Sequence, residues 1–163
     1  MNSVTKTPNQ VTALKIADYL LLKGKREGIE ISNKKLQKLL YYTQAWSAAI
    51  NDKKVFEDRI EAWIHGPAIK EVYLAFQQYG AQPITKEIDE EMVREISSET
   101  RDFVDKVWSV YSSFDANYLE YLTHSERPWQ DARKGLESHV SSENEISFES
   151  MKSYYMTLLA ESK

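Results

Sequence analysis

The sequence KKLQKLLYYTQAWSAAI, residues 34–50, carries the strongest helical pattern in the chain. Its apolar side chains recur at the 3.6-residue spacing of one helix face; they are Leu36, Leu39, Leu40, Thr43, Trp46 and Ile50. Ser32 or Asn33 is expected to cap its start, because both side chains accept hydrogen bonds from free backbone N–H groups. So dense an apolar face predicts a central core helix that ends near Asn51 and Asp52.

The stretch HGPAIKEVY, residues 65–73, predicts a second helix that packs onto the first. Pro67 suits a first helical turn, and the helix is expected to run from there to about Tyr79. Gly66 is expected to adopt a backbone angle that other residues avoid. The side chains that should lock this helix onto the core are Ile69, Val72, Tyr73 and Phe76.

Most of the remaining sequence also predicts helices. One covers Val11–Lys25, and others are expected after Ser97 or Ser98, after Asp115, near Pro128 and after Ser147. Two segments look extended instead, namely residues 55–66 and residues 82–88. The fold class that follows is mostly α: a single compact helical domain with at most a small two- or three-stranded sheet.

The composition fits one globular domain and excludes several kinds of site. The 163 residues suit a flexible leader at 1–10 and a domain at 11–163. With 0 cysteines, the chain has no disulfide, thiolate zinc site or cysteine nucleophile. It has no apolar run near the roughly 18 residues that span a bilayer, and MNSVTKTPNQ lacks a signal-peptide core. We therefore expect a cytoplasmic protein with no membrane partner.

The net charge of −4 is spread unevenly along the chain. Residues 1–86 hold 13 basic and 8 acidic side chains, so +5, whereas residues 87–163 hold 8 and 17, so −9. One interpretation is that both halves expose ordinary solvated charged faces. The other is an acidic face that attracts a basic partner and repels nucleic acid.

The residue types that carry catalysis are sparse and scattered. The histidines are His65, His124 and His139, far apart in the sequence. Glu61 and His65 are four residues apart, but the HExxH zinc pattern needs a second histidine on the same face. There is no G-x-S-x-G elbow or phosphate-binding glycine loop. The sequence predicts no catalytic residue, metal site or cofactor and hence no enzyme, with a hydrolase using His65 and Glu61 as an open alternative.

Residues 31–42, ISNKKLQKLLYY, resemble the entry of a helix-turn-helix, with lysines at 34, 35 and 38. A recognition helix exposes polar side chains to base edges, whereas this helix carries a dense Leu-Leu-Tyr-Tyr face. The chain also lacks the basic footprint of a nucleic-acid-binding protein. Nucleic acid is therefore an unfavoured partner, and a DNA-binding regulator is kept as an alternative.

Two motifs together resemble one protein family. SNKKLQKLLYYTQAW, residues 32–46, and EAWIHGPAIKEVYLAFQQYG, residues 61–80, are similar to the Panacea domain family of SocA-type and GepA-like phage-associated antitoxins. The shared features are the KLQKLLYY-x-Q-x-W helix, the E-A-W-x-x-G-P turn, and V-Y-x-x-F followed by Y-G. Ala68 departs mildly from the pattern, since family members more often have valine there.

The resemblance implies an antitoxin that neutralises its cognate protein toxin by direct binding. Toxins of the family include alarmone-synthetase-like enzymes, and a SocA-type member delivers its toxin to a protease as an adaptor. A DNA-binding phage or prophage regulator is the further alternative. The resemblance carries no catalytic residues to this chain.

The motif residues divide into two expected roles. The scaffold residues are Leu36, Leu39, Leu40, Trp46, Gly66, Pro67, Val72 and Phe76. Aromatic side chains serve cores and interfaces alike, so the candidates for partner binding are Tyr41, Tyr42, Trp63, His65 and Tyr73. In the acidic half, Glu90 and Glu91 are expected to speed toxin association.

Overall fold

The computed structural model describes residues 11–162. In these residues it has eight α-helices and one two-stranded antiparallel sheet, which confirms the predicted mostly α fold class. The elements are α1 (Ala13–Glu27), α2 (Asn33–Asn51), β1 (Glu61–Trp63), β2 (Gly66–Ala68), α3 (Lys70–Ala75), α4 (Glu90–Val93), α5 (Ser98–Tyr111), α6 (Ala116–His124), α7 (Arg127–Ala132) and α8 (Phe148–Glu161). The predicted leader, residues 1–10, lies outside the described residues.

Helix α2 is the centre of the molecule. The Ser32 hydroxyl caps it by accepting the Lys35 N–H, and Asp52 ends it in the left-handed conformation, with φ of 52°. The helix packs against α1, α5, α6, α8 and β2, so nearly all of its surface is covered. Because few of its faces meet water, it buries polar as well as apolar side chains, among them Lys35, Gln37 and Gln44.

The scaffold residues of α2 and α3 lie where a core requires them. Leu36, Leu39, Leu40, Val72 and Phe76 are at most 1% exposed, and Trp46 is partly buried. Other predicted helix starts agree as well, since Ser97, Asp115 and Ser147 all cap helices. These caps supply acceptors for the free N–H groups of the first turns.

The sequence was misleading at Pro67. We expected this residue to start a helix, but it lies in β2, opposite Ala62 of β1, and α3 begins only at Lys70. The antiparallel pairing extends the backbone through Pro67, which cannot contribute an N–H to the pairing but presents its carbonyl to α2. After α3, a 3₁₀ turn at Gln77–Tyr79 leads to Gly80.

The two segments predicted as extended have different outcomes. Residues 55–66 contain β1, as expected. Residues 82–88 form no strand: Pro83 makes an isolated bridge with Ser32, and the Ile84 N–H donates to the Ile31 carbonyl at 2.9 Å. This segment therefore ties the chain to the start of α2, and Lys86 pairs with Asp18 of α1 at 3.0 Å.

Candidate functional site

The hairpin formed by β1 and β2 is clamped between α2 and α7. On the α7 side, the Trp129 indole donates to the Trp63 carbonyl at 2.8 Å and Arg133 donates to the Ala62 carbonyl at 3.0 Å. On the α2 side, Gly66 lies directly against Lys38. The hairpin is thus held from both sides, which fixes the side chains at its turn.

Gly66 is the point of closest approach between the hairpin and α2. Its φ is +111°, a conformation that side chains disfavour. A Cβ at this position would lie 2.5 Å from Lys38 Cε and 2.9 Å from Thr123 Oγ1. The predicted need for glycine therefore has two causes, the backbone angle and the absence of space.

A groove opens beside this hairpin. It has a volume of about 770 Å³ and is lined by the first half of α2, the hairpin turn, α3 and residues 141–143. The Trp63 and Tyr73 rings form part of its wall and meet edge to face, with centroids 5.0 Å apart. The Trp63 indole donates to Glu61 at 2.8 Å, which fixes the orientation of the ring.

Two buried amides of α2 hold the groove in shape. Gln37 accepts the Ile69 N–H at 2.7 Å and donates to Asn33, while Asn33 donates to the Tyr73 carbonyl at 3.1 Å. Both amides are at most 3% exposed. Since buried polar groups are costly unless paired, these bonds fix the position of α3 relative to α2.

Lys38 lies at the floor of the groove. It is 2% exposed, and its Nζ donates to the Pro67 carbonyl at 3.1 Å. Burial lowers the pKa of the Lys38 ammonium to about 7, although the negative charge of Glu120 opposes this effect. The amine is therefore poised between its charged and neutral forms near neutral pH.

The rim of the groove carries a small network centred on Glu120 of α6. Its carboxylate lies 3.1 Å from Lys34 Nζ and 2.9 Å from His65 Nδ1. Burial raises the pKa of Glu120, but the hydrogen bond and charge of Lys34 outweigh it and hold that pKa below its usual value. Glu120 is consequently ionised and already engaged with two partners.

The candidate partner-binding residues fall into three groups. Trp63 and Tyr73 line the groove and are partly buried, and His65 stands exposed at its rim. Tyr41 and Tyr42 are only 1% and 0% exposed, so their predicted place at a partner surface is corrected to the core.

Glu90 and Glu91 form the third group, because they do not line the groove. They are exposed on α4, which packs on α1, and each has a basic neighbour: Arg26 lies 3.3 Å from Glu90 and Arg94 lies 3.5 Å from Glu91. Their charge is thus partly compensated within the chain.

Tyr41 and Tyr42 belong to a closed cluster around Glu126. The carboxylate accepts from Tyr42 at 2.6 Å and from Tyr155 at 3.0 Å, and the Tyr155 and Tyr41 hydroxyls are 3.0 Å apart. Burial raises the pKa of Glu126, and the two hydroxyl donors act against that rise. This cluster ties α8 to α2 inside the core.

The catalytic alternative is not supported by the geometry. Glu61 binds Arg59 and Trp63, whereas His65 pairs with Glu120 instead. The two residues of the hydrolase alternative are therefore not partners. In residues 11–162, no group of three or more His, Cys, Asp or Glu side chains is arranged to hold a metal ion.

The helix-turn-helix alternative fails because α2 is not available as a recognition helix. Lys35 and Lys38 are 6% and 2% exposed, and both donate to backbone carbonyls within the chain. They cannot reach phosphates from these positions. Separately, no helix within residues 11–162 has the length and apolar character needed to cross a membrane.

Sequence reasoning missed Asn33, Gln37, Lys38 and Glu120 as parts of the site. A signal was present in KLQK, where Gln37 and Lys38 interrupt an apolar helix. Asn33 with Gln37, and Lys34 with Lys38, are each four residues apart, which places them on neighbouring parts of one helix face. Because buried polar groups are normally hydrogen-bonded, polar residues within a core helix indicate a hydrogen-bonded polar site inside the protein.

Comparison with known proteins identifies relatives of this chain. The family model described as "Antitoxin SocA-like, Panacea domain" matches residues 36–130, more than half of the 163 residues. Antitoxin SocA of Caulobacter vibrioides (strain NA1000 / CB15N) is 34% identical over 84 residues, 52% of this chain and 45% of that relative. The match thus spans slightly less than half of the relative's length. No solved structure matches the chain.

Proposed function

Because the chain belongs to the antitoxin SocA-like, Panacea domain family, we propose that it is an antitoxin that neutralises its cognate toxin by direct binding. The family match carries this proposal. It covers residues 36–130, which include nearly all of α2, the hairpin, α3 and α6. The groove is thus built largely from the part of the chain that defines the family.

The geometry of the groove suits binding better than catalysis. Its walls include two aromatic rings fixed by neighbours, a feature of the anchor sites in protein interfaces. The ionisable groups at its rim pair with one another in static contacts. None of these pairs activates a serine or threonine nucleophile among the described residues.

We propose that the cognate toxin is encoded by the adjacent gene, as in a two-gene toxin–antitoxin system. From the family resemblance we further propose that this toxin is an alarmone-synthetase-like enzyme. The sequence of the neighbouring gene tests that assignment directly, and a neighbour of another enzyme class would overturn it.

Co-expression tests the function itself. The neighbouring gene expressed alone should stop growth, and expression of this chain with it should restore growth and yield a complex that co-elutes in size-exclusion chromatography. A harmless neighbour, or toxicity that persists beside the antitoxin, would contradict the proposal. Toxin abundance should stay unchanged during rescue, whereas delivery to a protease would lower it.

A further inference from the structure

The most unusual feature of the groove is a buried lysine amine, Lys38 Nζ, in its lining. A lysine ammonium has three N–H donors. Within the described residues, Lys38 Nζ donates to one acceptor, the Pro67 carbonyl. Because Lys38 also lines the groove, its remaining donors can be satisfied by a group that enters there.

Among the described residues, Lys38 also has no ion-pair partner, although the charge of Glu120 is near enough to act on the amine. No carboxylate of the described residues lies within ion-pair distance of its Nζ, since Glu120 pairs with Lys34 and His65 instead. An unpaired buried charge is unfavourable, which agrees with the lowered pKa of this amine. A carboxylate that enters the groove would give Lys38 the anionic partner that Glu120, already paired with Lys34 and His65, does not provide.

The remainder of the groove specifies what accompanies that carboxylate. Trp63 and Tyr73 offer aromatic surface beside the ammonium. The volume of about 770 Å³ lies within the range of sites that enclose drug-sized ligands, roughly 300–1,000 Å³. An acidic side chain followed by an apolar one, presented on an exposed segment of a protein, matches both features.

The charges at the rim select against a polyanion. Glu143 lines the groove and Glu120 stands beside it, whereas a nucleic-acid backbone needs a continuous basic stripe. A single carboxylate can reach the floor without placing further negative charge against these acids. A protein segment is thus favoured over a nucleic acid.

We propose that this groove is the docking site for the toxin, and that an acidic side chain of the toxin binds Lys38 Nζ while an adjacent apolar side chain contacts Trp63 and Tyr73. The inference rests on the proposed antitoxin function and adds to it the chemistry of the partner. Lys35 serves as its internal comparison, because this lysine is equally part of α2 and also buried, but donates to the Ser112 carbonyl away from the groove.

Binding should be linked to proton uptake. A carboxylate that binds Lys38 favours the ammonium, so affinity should fall as rising pH removes the proton from the free chain. The other charged or titratable groups of the described residues around Lys38 and its groove are Lys34 on α2, Glu120 and His124 on α6, His65 on the hairpin, and Glu143. Measurement between pH 7.5 and 9 avoids the ordinary range of imidazole titration. Because the pKa of the free amine, about 7, lies below this interval, affinity should weaken at least about fivefold across it.

The test measures the dissociation constant for the protein encoded by the adjacent gene, using calorimetry and the full chain. Lys38→Met should weaken binding at least about 30-fold at pH 6.5 and should remove most of the pH dependence. Lys35→Met should stay within about threefold of the parent chain, since this side chain does not face the groove. Circular dichroism and thermal unfolding establish that each variant is folded.

A second variant tests the groove without altering its buried lysine. Ala81 is exposed and lines the groove, so Ala81→Trp should obstruct it without disturbing the core and should also weaken binding at least about tenfold. If the parent chain binds the toxin, and Lys38→Met and Ala81→Trp bind it equally well, the docking site is wrong and the antitoxin function stands. If the parent chain does not bind the toxin, the proposed function and this inference both fail.

Discussion

Two buried ionisable groups meet at consecutive turns of α2, and they differ in their surroundings: Glu126 is enclosed by tyrosines, whereas Lys38 lines a groove. Glu126 accepts from Tyr42 and Tyr155 inside a closed aromatic cluster. Lys38, one turn before Tyr42, donates to one carbonyl and lines an open groove. A polar group whose partners all lie in the core stabilises one packing of that core, whereas a polar group that lines a groove can also bind a partner that enters it. The first region stabilises the fold, and the second is the proposed binding site.

The largest expected effect comes from opening the closed cluster. Tyr155 is fully buried against Tyr41, Tyr42 and Trp46, so Tyr155→Ala should lower the free energy of unfolding by about 3–5 kcal/mol. Urea denaturation measures this loss. Tyr154→Ala, on the partly buried neighbour, should cost clearly less, and equal losses would show that the cluster has no special role.

The close approach of the hairpin to Lys38 is sensitive to a single methyl group. Gly66→Ala combines a strained backbone angle with a contact of 2.5 Å to Lys38 Cε, so we expect a loss of about 3 kcal/mol in unfolding free energy. Gly28→Ala is the matched control, because its φ is +70° but nothing lies within 4 Å of the added Cβ. It should cost only about 1 kcal/mol, and similar costs for both would contradict the close packing at Gly66.

Removing one donor from Glu126 should have a smaller effect that depends on pH. Tyr42→Phe leaves the carboxylate with one donor fewer, which should cost about 2 kcal/mol. Burial raises the pKa of Glu126 in the folded chain. The stability that Glu126 contributes is therefore fully present below the ordinary glutamate pKa and is lost as pH rises through the raised value.

The Tyr42 hydroxyl favours the ionised carboxylate and so limits that loss. The penalty of Tyr42→Phe should therefore be larger at pH 7 than at pH 4 in thermal unfolding. A pH-independent penalty would indicate a packing effect alone. Tyr118→Phe, on an exposed ring, should change stability little at either pH.

The smallest expected effect concerns the acidic helix α4. Reversal of charge at Glu90 and Glu91 to lysine should slow toxin association by about threefold at low salt, because exposed charges act mainly through steering. Dissociation should be unchanged, since these residues lie outside the groove. An unchanged association rate would reject steering by these residues. A large rise in the dissociation rate would instead move the docking surface to α4.

Sequence alone predicted the parts of the fold that local patterns determine. The apolar repeat of α2 and the caps at Ser32, Asp115 and Ser147 are readable within a few residues. Pro67 was misassigned because its strand exists only through pairing with β1. A proline near the start of an apolar repeat is typical of a helix, and nothing local indicates the partner strand.

The candidate site was predictable only in part. Trp63, His65 and Tyr73 were identified by their motif and do meet at the groove. The burial of Tyr41 and Tyr42 depends on Tyr155, more than 100 residues later in the chain. Lys38 was overlooked because a lysine usually marks an exposed face, and its burial follows from the hairpin that folds over it.

The ionisation of Lys38 tests the central claim most directly. NMR of the Lys38 side chain, followed across a pH titration, gives its pKa in the free chain and in the complex with the toxin. The free chain should titrate at about pH 7, and the complex should keep the ammonium charged to at least about pH 9, because a carboxylate partner favours the charged form. An unchanged pKa in a formed complex would contradict docking of an acidic side chain in this groove.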